Sequence, residues 1–390
     1  MRWIAPIEGC PKRVNHAAVA VNHKIYSFGG YSTGENCTGY TSMDVHVLNT
    51  TTNRWTKHPV SDLPYFENDD ILPYRRYGHT AVVYKDNIYI WGGRNDRSSC
   101  SILFKFDTFW HCWTAPKTTG SIPLARDGHS ACVWKNYMFI FGGYEEETQL
   151  FGKSVFFLDL DKLHWSCINA NGFEPTLRDF HTTVCIKDKI YLFGGRGATI
   201  HVNMQGVQAP LETYCNKVWY LDMKNFTWHS CEAKGDIPIG RRSNSAFVHN
   251  DKMYIFGGYN SIQGNHFNDL YMFDPQTNLW TELKLQGKPP CERRRQACAK
   301  VGERVYIFGG TSPRVNPSLM QVEDAGFDSL VDHSDMYILD LNPSLKTFCM
   351  MAVRKYKLDE SVLPRSIRIE IMNMYAPNKI TLSRPNNSAG

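Results

Sequence analysis

Apolar and polar positions fall into paired runs along most of the chain. From Arg126 to Gly143, RDGHSACVWKNYMFIFGG, an apolar run, a polar turn at Lys135-Asn136 and a second apolar run closing on Gly-Gly predict two adjacent antiparallel strands with a tight exit. The unit occurs six times, its Gly-Gly pairs at Gly29-Gly30, Gly92-Gly93, Gly142-Gly143, Gly194-Gly195, Gly257-Gly258 and Gly309-Gly310. Thirteen residues before the first Gly of each pair stand His16, His79, His129, His181, Asn244 and Gln296. Three residues earlier every copy carries Arg: Arg13, Arg76, Arg126, Arg178, Arg241 and Arg293. A fixed internal distance kept six times, at a period near fifty residues, signals a propeller or an array.

After each Gly-Gly come a variable loop, a strand ending at an acidic or amide residue, and a strand around Trp. These read as Asp44 to Asn49 with Trp55, Leu103 to Asp107 with Trp113, Val155 to Asp159 with Trp165, Val218 to Asp222 with Trp228, and Leu270 to Asp274 with Trp280. Four strands per repeat make the blade of a β-propeller. The sixth repeat has its third strand, Met336 to Asp340, but Asn342-Pro343 breaks the chain and no Trp follows. The absent strand stands at the other terminus, where Arg2-Trp3-Ile4 precedes repeat one. The expectation is an all-β, six-bladed ring over residues 1–341, closed by the N-terminal strand so that its sheet edges disappear.

Composition narrows this little. A chain of 390 residues that is 42% hydrophobic and 13% aromatic can bury large cores, and a net charge of +5 is too weak to argue for nucleic acid. The N-terminus has no apolar leader and no apolar run reaches membrane length, so a cytoplasmic protein, with the nucleus open, is expected. The 12 Cys contain no Cys-x-x-Cys pair, the closest being Cys291 and Cys298, which disfavours a zinc ribbon or redox motif. No catalytic residue, metal or cofactor is expected.

Spacings of 63, 50, 52, 63 and 52 between Gly-Gly pairs place two insertions, at Ser61 to Leu72 and Gly197 to Tyr214. The loop before the first strand and the loop after Gly-Gly leave a blade on one face, where recognition loops cluster. That face would gather Tyr31, Arg94, Tyr144, Arg196, Tyr259 and Thr311 after the Gly-Gly pairs, with the repeated Arg and its neighbours before the strands. Because the Arg recurs in every blade, Arg13, Arg76, Arg126 and Arg178 are expected to bond loop carbonyls or a neighbouring acid, and the His series to order the first strand. Blades five and six break the pattern with Asn244 and Gln296 and with the extra Arg242, Arg294 and Arg295; blades three and four supply Asp127 and Asp179 beside Tyr144 and Phe180. Such a mouth suits a ligand with a carboxylate and a nearby cation. Arg241, Arg242, Ser243 and Arg293, then Arg196 and Arg94, are the candidates for the carboxylate, and Asn244 and Ser243 can add neutral bonds.

Beyond Pro343 the strand pattern stops and residues 342–374 read as helices. Ser344 is a plain N-cap, and Leu345, Cys349, Val353 and Tyr356 form one apolar stripe. Residues 375–390 read as a loose polar tail ending in Gly390.

Arg-x-x-His, the aromatic-Gly-Gly and the spaced Trp resemble the kelch repeat, which implies a six-bladed ring over about residues 1–341. Leu345-x-x-x-Cys349-x-x-Ala352-Val353 resembles the BC box that binds elongin B and elongin C, and Leu363-Pro364-x-x-Ile367 resembles a cullin-2 box. In this order the three resemble the kelch domain-containing substrate receptors of cullin-2 RING ubiquitin ligases over nearly the whole chain. That resemblance implies a non-catalytic adaptor with elongin B, elongin C, cullin-2 and a RING subunit as partners, recognising C-terminal degrons that end in Gly. With such a degron in the mouth, loop position makes Asp127 and Asp179 the candidates for the penultimate side chain, and the chain's own Gly390 a candidate to engage its own or a sister mouth. Two alternatives remain at this stage: a kelch scaffold for chromatin or cytoskeletal partners, and a copper oxidase of the galactose-oxidase type.

Overall fold

The second strand of each repeat is mostly apolar on successive positions because both its faces are covered. In the second repeat Ile88 and Ile90 turn toward the first, while Tyr89 and Trp91 turn toward the third. Six such clusters of buried side chains, one per junction between neighbouring repeats, make up the core. The computed structural model describes residues 1–4, 6–38, 41–59, 72–202, 208–314 and 330–383. The insertion at Ser61 to Leu72 falls almost wholly outside them, as does the terminal Gly390.

Within a blade the strands lie from the axis outward in chain order, as in blade one with Ala17–Val21, Lys24–Phe28, Val45–Asn49 and Arg54–Lys57. The other innermost strands are Tyr77–Tyr84, Ser130–Trp134, Thr182–Ile186, Ser245–His249 and Ala297–Val301, and each touches the next around a closed circle. The ring closes as expected: Arg2–Trp3 pairs antiparallel with Met336–Asp340, Arg2 opposite Asp340 and Trp3 opposite Leu339. Trp3 is buried at the junction of blades five and six, its ring 5.7 Å from that of Phe256.

A second closure runs through the backbone at the axis. The residue two positions after each repeated Arg has left-handed backbone: Asn15, Gly78, Gly128, Phe180, Ser243 and Arg295. Their amides and carbonyls join head to tail in a circle. Gly78 donates to Asn15 (3.0 Å), Gly128 to Gly78 (2.9 Å), Phe180 to Gly128 (2.6 Å), Ser243 to Phe180 (2.8 Å), Arg295 to Ser243 (3.1 Å) and Asn15 to Arg295 (3.0 Å). Six buried polar pairs are thereby satisfied without any sheet.

The Gly-Gly pairs are needed where neighbouring blades meet. Gly142 and Gly143 both have positive φ, and a Cβ on Gly142 would stand 2.5 Å from the Arg178 carbonyl and 2.7 Å from the His181 ring of the next blade. The repeated His fills that wall, with Nε2 of His129 2.8 Å from Thr80 Oγ1. Burial holds His16 and His79 neutral, their pKa down to about 3, and places His129 and His181 well below the ordinary value.

Helix α1 (Leu345–Lys355) starts where blade six's chain breaks, with Ser344 Oγ accepting from the Thr347 amide at 3.1 Å, and α2 (Arg365–Tyr375) follows. Met350, Ile371 and Met374 enter the same cluster as Ile4, Ile7, Trp55 and Phe308, so the helices seal the junction of blades six and one. The part of the expected loose tail that is described, residues 375–383, is instead built into the ring. Asn378 is buried and accepts from the Trp55 amide (3.0 Å) while donating to the Asn53 carbonyl (3.1 Å), and Thr381–Leu382 runs parallel to Arg54–Lys57. It takes the outer slot that the connectors Thr119–Gly120, Asn171–Gly172 and Lys234–Gly235 fill on blades three, four and five.

Candidate ligand-binding face

In five blades the repeated Arg folds inward in the same way. Its Nε donates to the carbonyl two residues back and its Nη1 to the carbonyl of the first Gly of its own pair, as Arg178 does to Thr176 and Gly194, both at 2.8 Å. Arg76, Arg126, Arg241 and Arg293 repeat these bonds. Arg13 departs, bonding Asp44 and Glu35. The scaffold role expected for Arg13, Arg76, Arg126 and Arg178 therefore extends to Arg241 and Arg293, which the charge pattern had placed at the carboxylate. Both are wholly buried and both are neutralised, Arg241 by Asp269 and Arg293 by Asp335 at 2.6 and 2.9 Å. Asn244 and Gln296 likewise leave the mouth. They stand in the wall where other blades have His, Asn244 donating to Thr182 Oγ1 at 3.3 Å and Gln296 to the Phe256 carbonyl at 3.1 Å.

The residues that reach the axis lie one and two positions further along. A basin of about 460 Å³ opens over the backbone circle, lined by Tyr31, Arg94, Asp127, Arg196, Arg242 and Arg295 among others. A second cavity of about 590 Å³ adjoins it and holds Tyr144 and Asp179. Ser243 contributes its backbone to the circle. Tyr259 lies behind, 4.2 Å from the Arg294 guanidinium and 5.6 Å from that of Arg242.

The two sides of this mouth differ in how their charges are matched. Asp179, fully buried, is held by Arg196 through both oxygens. By contrast Arg294 and Arg295 have no carboxylate within 4 Å among the described residues, and Arg242 has only Glu212 at 3.8 Å, shared with Arg196 at 3.7 Å. Arg295 donates to the Tyr31 hydroxyl at 2.7 Å. Burial, with Arg295 and Arg242 beside it, lowers Arg294 to about 10, and burial, with Arg196 and Arg295 adding to it, lowers Arg242. Three neighbouring guanidiniums with almost no carboxylate to match them form a site that an anion would relieve. Asp127 answers from across the basin, its carboxyl pushed up to about 6 by burial and by Asp179, with Arg94 and Arg196 opposing.

The sequence reading missed Glu212, Ser261 and Asp96. Glu212 belongs to the hairpin Arg196–Val202 and Gln208–Tyr214, the insertion of blade four, and is held there by the Tyr214 hydroxyl at 2.8 Å and by Ser261. Only the insertion's acidic residue hinted at it, and nothing in the sequence says that the hairpin folds back over the mouth. Among the described residues no group of three His, Cys, Asp or Glu side chains is placed to hold a metal ion.

The KLHDC2/KLHL20/DRC7 Kelch-repeats domain matches residues 78–310, and the Kelch motif matches residues 12–62. The chain belongs to the kelch-repeat family. The human Kelch domain-containing protein 3 is 43% identical over 389 residues, spanning 99% of this chain and 98% of its own. More distant kelch relatives are the Pongo abelii leucine-zipper-like transcriptional regulator 1, 29% identical over 72% of this chain and 32% of its own, and the Caenorhabditis elegans host cell factor homolog hcf-1, 27% identical over 62% and 32%.

At the far end of this kelch chain the helices present an uncovered stripe. Leu345 is 79% exposed and Cys349, one turn on, is exposed too, while Met350 on the opposite side is buried. Ala352 and Val353 are half-buried and line a groove with Arg2, Phe348, Tyr356, Leu358 and Tyr375. Leu363 and Ile367 pack against the core at the junction of blades six and one, and Pro364 opens α2. No helix among the described residues is long and apolar enough to cross a membrane.

Proposed function

We propose that the mouth captures the free carboxylate of a protein chain ending in Gly, and that the helices join this receptor to a ubiquitin ligase. The observation that carries the reading is the trio Arg242, Arg294 and Arg295, a concentrated positive charge with almost no acid of its own. A terminal carboxylate is the counter-charge a polypeptide always carries, and Gly leaves it unhindered. Charge-assisted bonds of about 1.5–3 kcal/mol each make two or three such contacts a large part of a micromolar affinity of about 8 kcal/mol. Asp127, across the basin, suits a basic side chain just before the Gly.

The second half of the reading rests on α1. An amphipathic helix whose inner face is packed into the ring while Leu345 and Cys349 stand in water offers anchors for a partner's groove. Elongin C, with elongin B, is the partner the stripe resembles a site for. Cullin-2 and its RING subunit would follow at Leu363, Pro364 and Ile367. The ring holds the substrate and ubiquitin transfer belongs to the partners.

Fluorescent peptides ending in Gly, differing only in a free or amidated terminus, test the first half. The free acid should bind at least roughly tenfold tighter, the scale of one lost charge-assisted bond; equal binding would refute carboxylate capture. Co-purification with elongins, compared with Leu345→Ala and Cys349→Ser, tests the second. Elongins absent from the unaltered protein would remove the ligase.

A further inference from the structure

The cavity beside the basin shares Arg94, Asp127 and Arg196 with it, so a chain anchored in the basin can pass between those residues into the second space. We infer that this annex binds an apolar side chain, aromatic or long aliphatic, from the residues just upstream of the terminal carboxylate. The inference rests on reading the basin as the carboxylate site.

The annex looks charged by composition but its charges are largely consumed. Asp179 is taken by Arg196, and Glu212 by the hydroxyls of Tyr214 and Ser261 with Arg196 and Arg242 nearby. Away from Arg94 and Asp127 at the border with the basin, what remains toward the space is Tyr144 and Phe151 from blade three and Ala198 and Pro210 from the blade-four hairpin. The two rings meet edge to face at 5.9 Å, and the Tyr144 hydroxyl is already donating to Gln149 at 2.6 Å. The Arg196 guanidinium, on the border of basin and annex, lies 5.8 Å from the Phe151 ring. Beyond Arg94 and Asp127, which it shares with the basin, a side chain entering here meets aromatic and aliphatic surface whose other polar neighbours are paired, which favours burial of apolar area over a second charge.

The wall is also fixed in place. Ala198 pairs with Glu212 and Ile200 with Pro210 in the hairpin ladder. At Gly197 a Cβ would stand 2.9 Å from the Leu177 carbonyl and 3.0 Å from Thr213 Oγ1, so the hairpin base sits directly on the neighbouring loop. A peptide advances about 3.3–3.6 Å per residue when extended, so its first few residues upstream of the carboxylate are those that can reach a cavity contiguous with the basin.

Competition binding on the full chain tests this, with Gly-terminated peptides carrying Ala, Phe, Leu, Glu or Arg at each of the four preceding positions. At one of those positions Phe or Leu should bind roughly tenfold tighter than Ala, the scale of burying one large apolar side chain. Ala198→Trp, an exposed hairpin position that fills the annex, should remove that gain, so that Phe, Leu and Ala peptides bind alike. No position at which an apolar residue beats Ala, a preference for Glu or Arg that Ala198→Trp removes, or a gain that survives Ala198→Trp would each overturn the annex. Amidated copies separate the two readings. If the amides bind as well as the acids, carboxylate capture fails, while a Phe gain that Ala198→Trp abolishes still reports the annex.

Discussion

Nε2 of His181, in blade four, lies 2.7 Å from Oγ of Ser130, in blade three, and both are buried. This contact, with its counterpart between His129 and Thr80, makes the wall between blades depend on neutral imidazole. Unfolded, these rings titrate near 6.5; folded, burial keeps them uncharged far below that, with His16 and His79 down to about 3. Below 6.5 the unfolded chain takes up protons that the folded one refuses. Stability is therefore complete above 6.5 and falls as pH drops toward 3, by about 1.4 kcal/mol per His and pH unit. Urea melts at neutral pH and at about pH 5 should show this slope. His181→Asn, the residue type blade five uses at Asn244, should make it shallower, and an unchanged slope would remove the assignment.

Ring closure by the N-terminal strand predicts a large, cooperative loss from a small cut. Trp3→Ala should cost about 3–5 kcal/mol, the usual range for a buried Trp. Removing residues 1–8 also bares the edge of Met336–Asp340, and should abolish a single thermal transition. A truncated chain melting with the intact one would mean that the backbone circle alone holds the ring.

The inward and outward arginines should separate in two measurements. Arg293→Ala leaves Asp335 largely buried and unpaired, and should destabilise by about 3–5 kcal/mol. Arg295→Ala and Arg242→Ala remove mutually repelling charges, so thermal stability should hold or rise. Each should weaken a Gly-terminated peptide roughly ten- to hundredfold, the equivalent of one charge-assisted bond. Peptide binding that survives Arg242→Ala and Arg295→Ala together would place the carboxylate elsewhere.

Asp127 predicts a pH dependence that belongs to the ligand's side chain and not to its terminus. A Lys or Arg before the terminal Gly binds the ionised carboxyl, so its affinity should drop as pH falls through about 6, where Asp127 takes its proton. The peptide carboxylate and the arginines keep their charges there, so an Ala at the same place should show no such drop. Asp127→Asn should flatten the basic peptide's curve; a curve unaltered by it would assign the titration to another group.

The ring was legible because its cause is periodic: Gly-Gly, the His-type position and Trp recur at distances that only a repeated blade produces. The mouth was legible in outline, since Arg94, Arg196, Arg242, Arg295 and Asp127 do meet at the axis. Its detail was not, because neighbouring arginines in one short segment turn opposite ways. Arg293 goes inward to Gly309 and Asp335, Arg294 stacks on Tyr259, and the left-handed backbone at Arg295 aims that side chain into the basin. Nothing in a run of three identical residues encodes the difference; the partly buried Asp335, 42 residues away, does. Glu212 was invisible for the same reason, its role being created by Ser261 of the next blade.

Because Asn378 and Thr381–Leu382 occupy the outer slot of blade one, the segment leaving α2 is also part of the wheel's rim. Anything that grips α1 and α2 only in their docked arrangement therefore raises the melting point of the wheel itself, in proportion to the logarithm of its concentration over its dissociation constant. On the proposed reading, a chain left without a partner on these helices would unzip sooner and be cleared faster than one so gripped, and its cellular abundance would follow that partner's with no dedicated regulator.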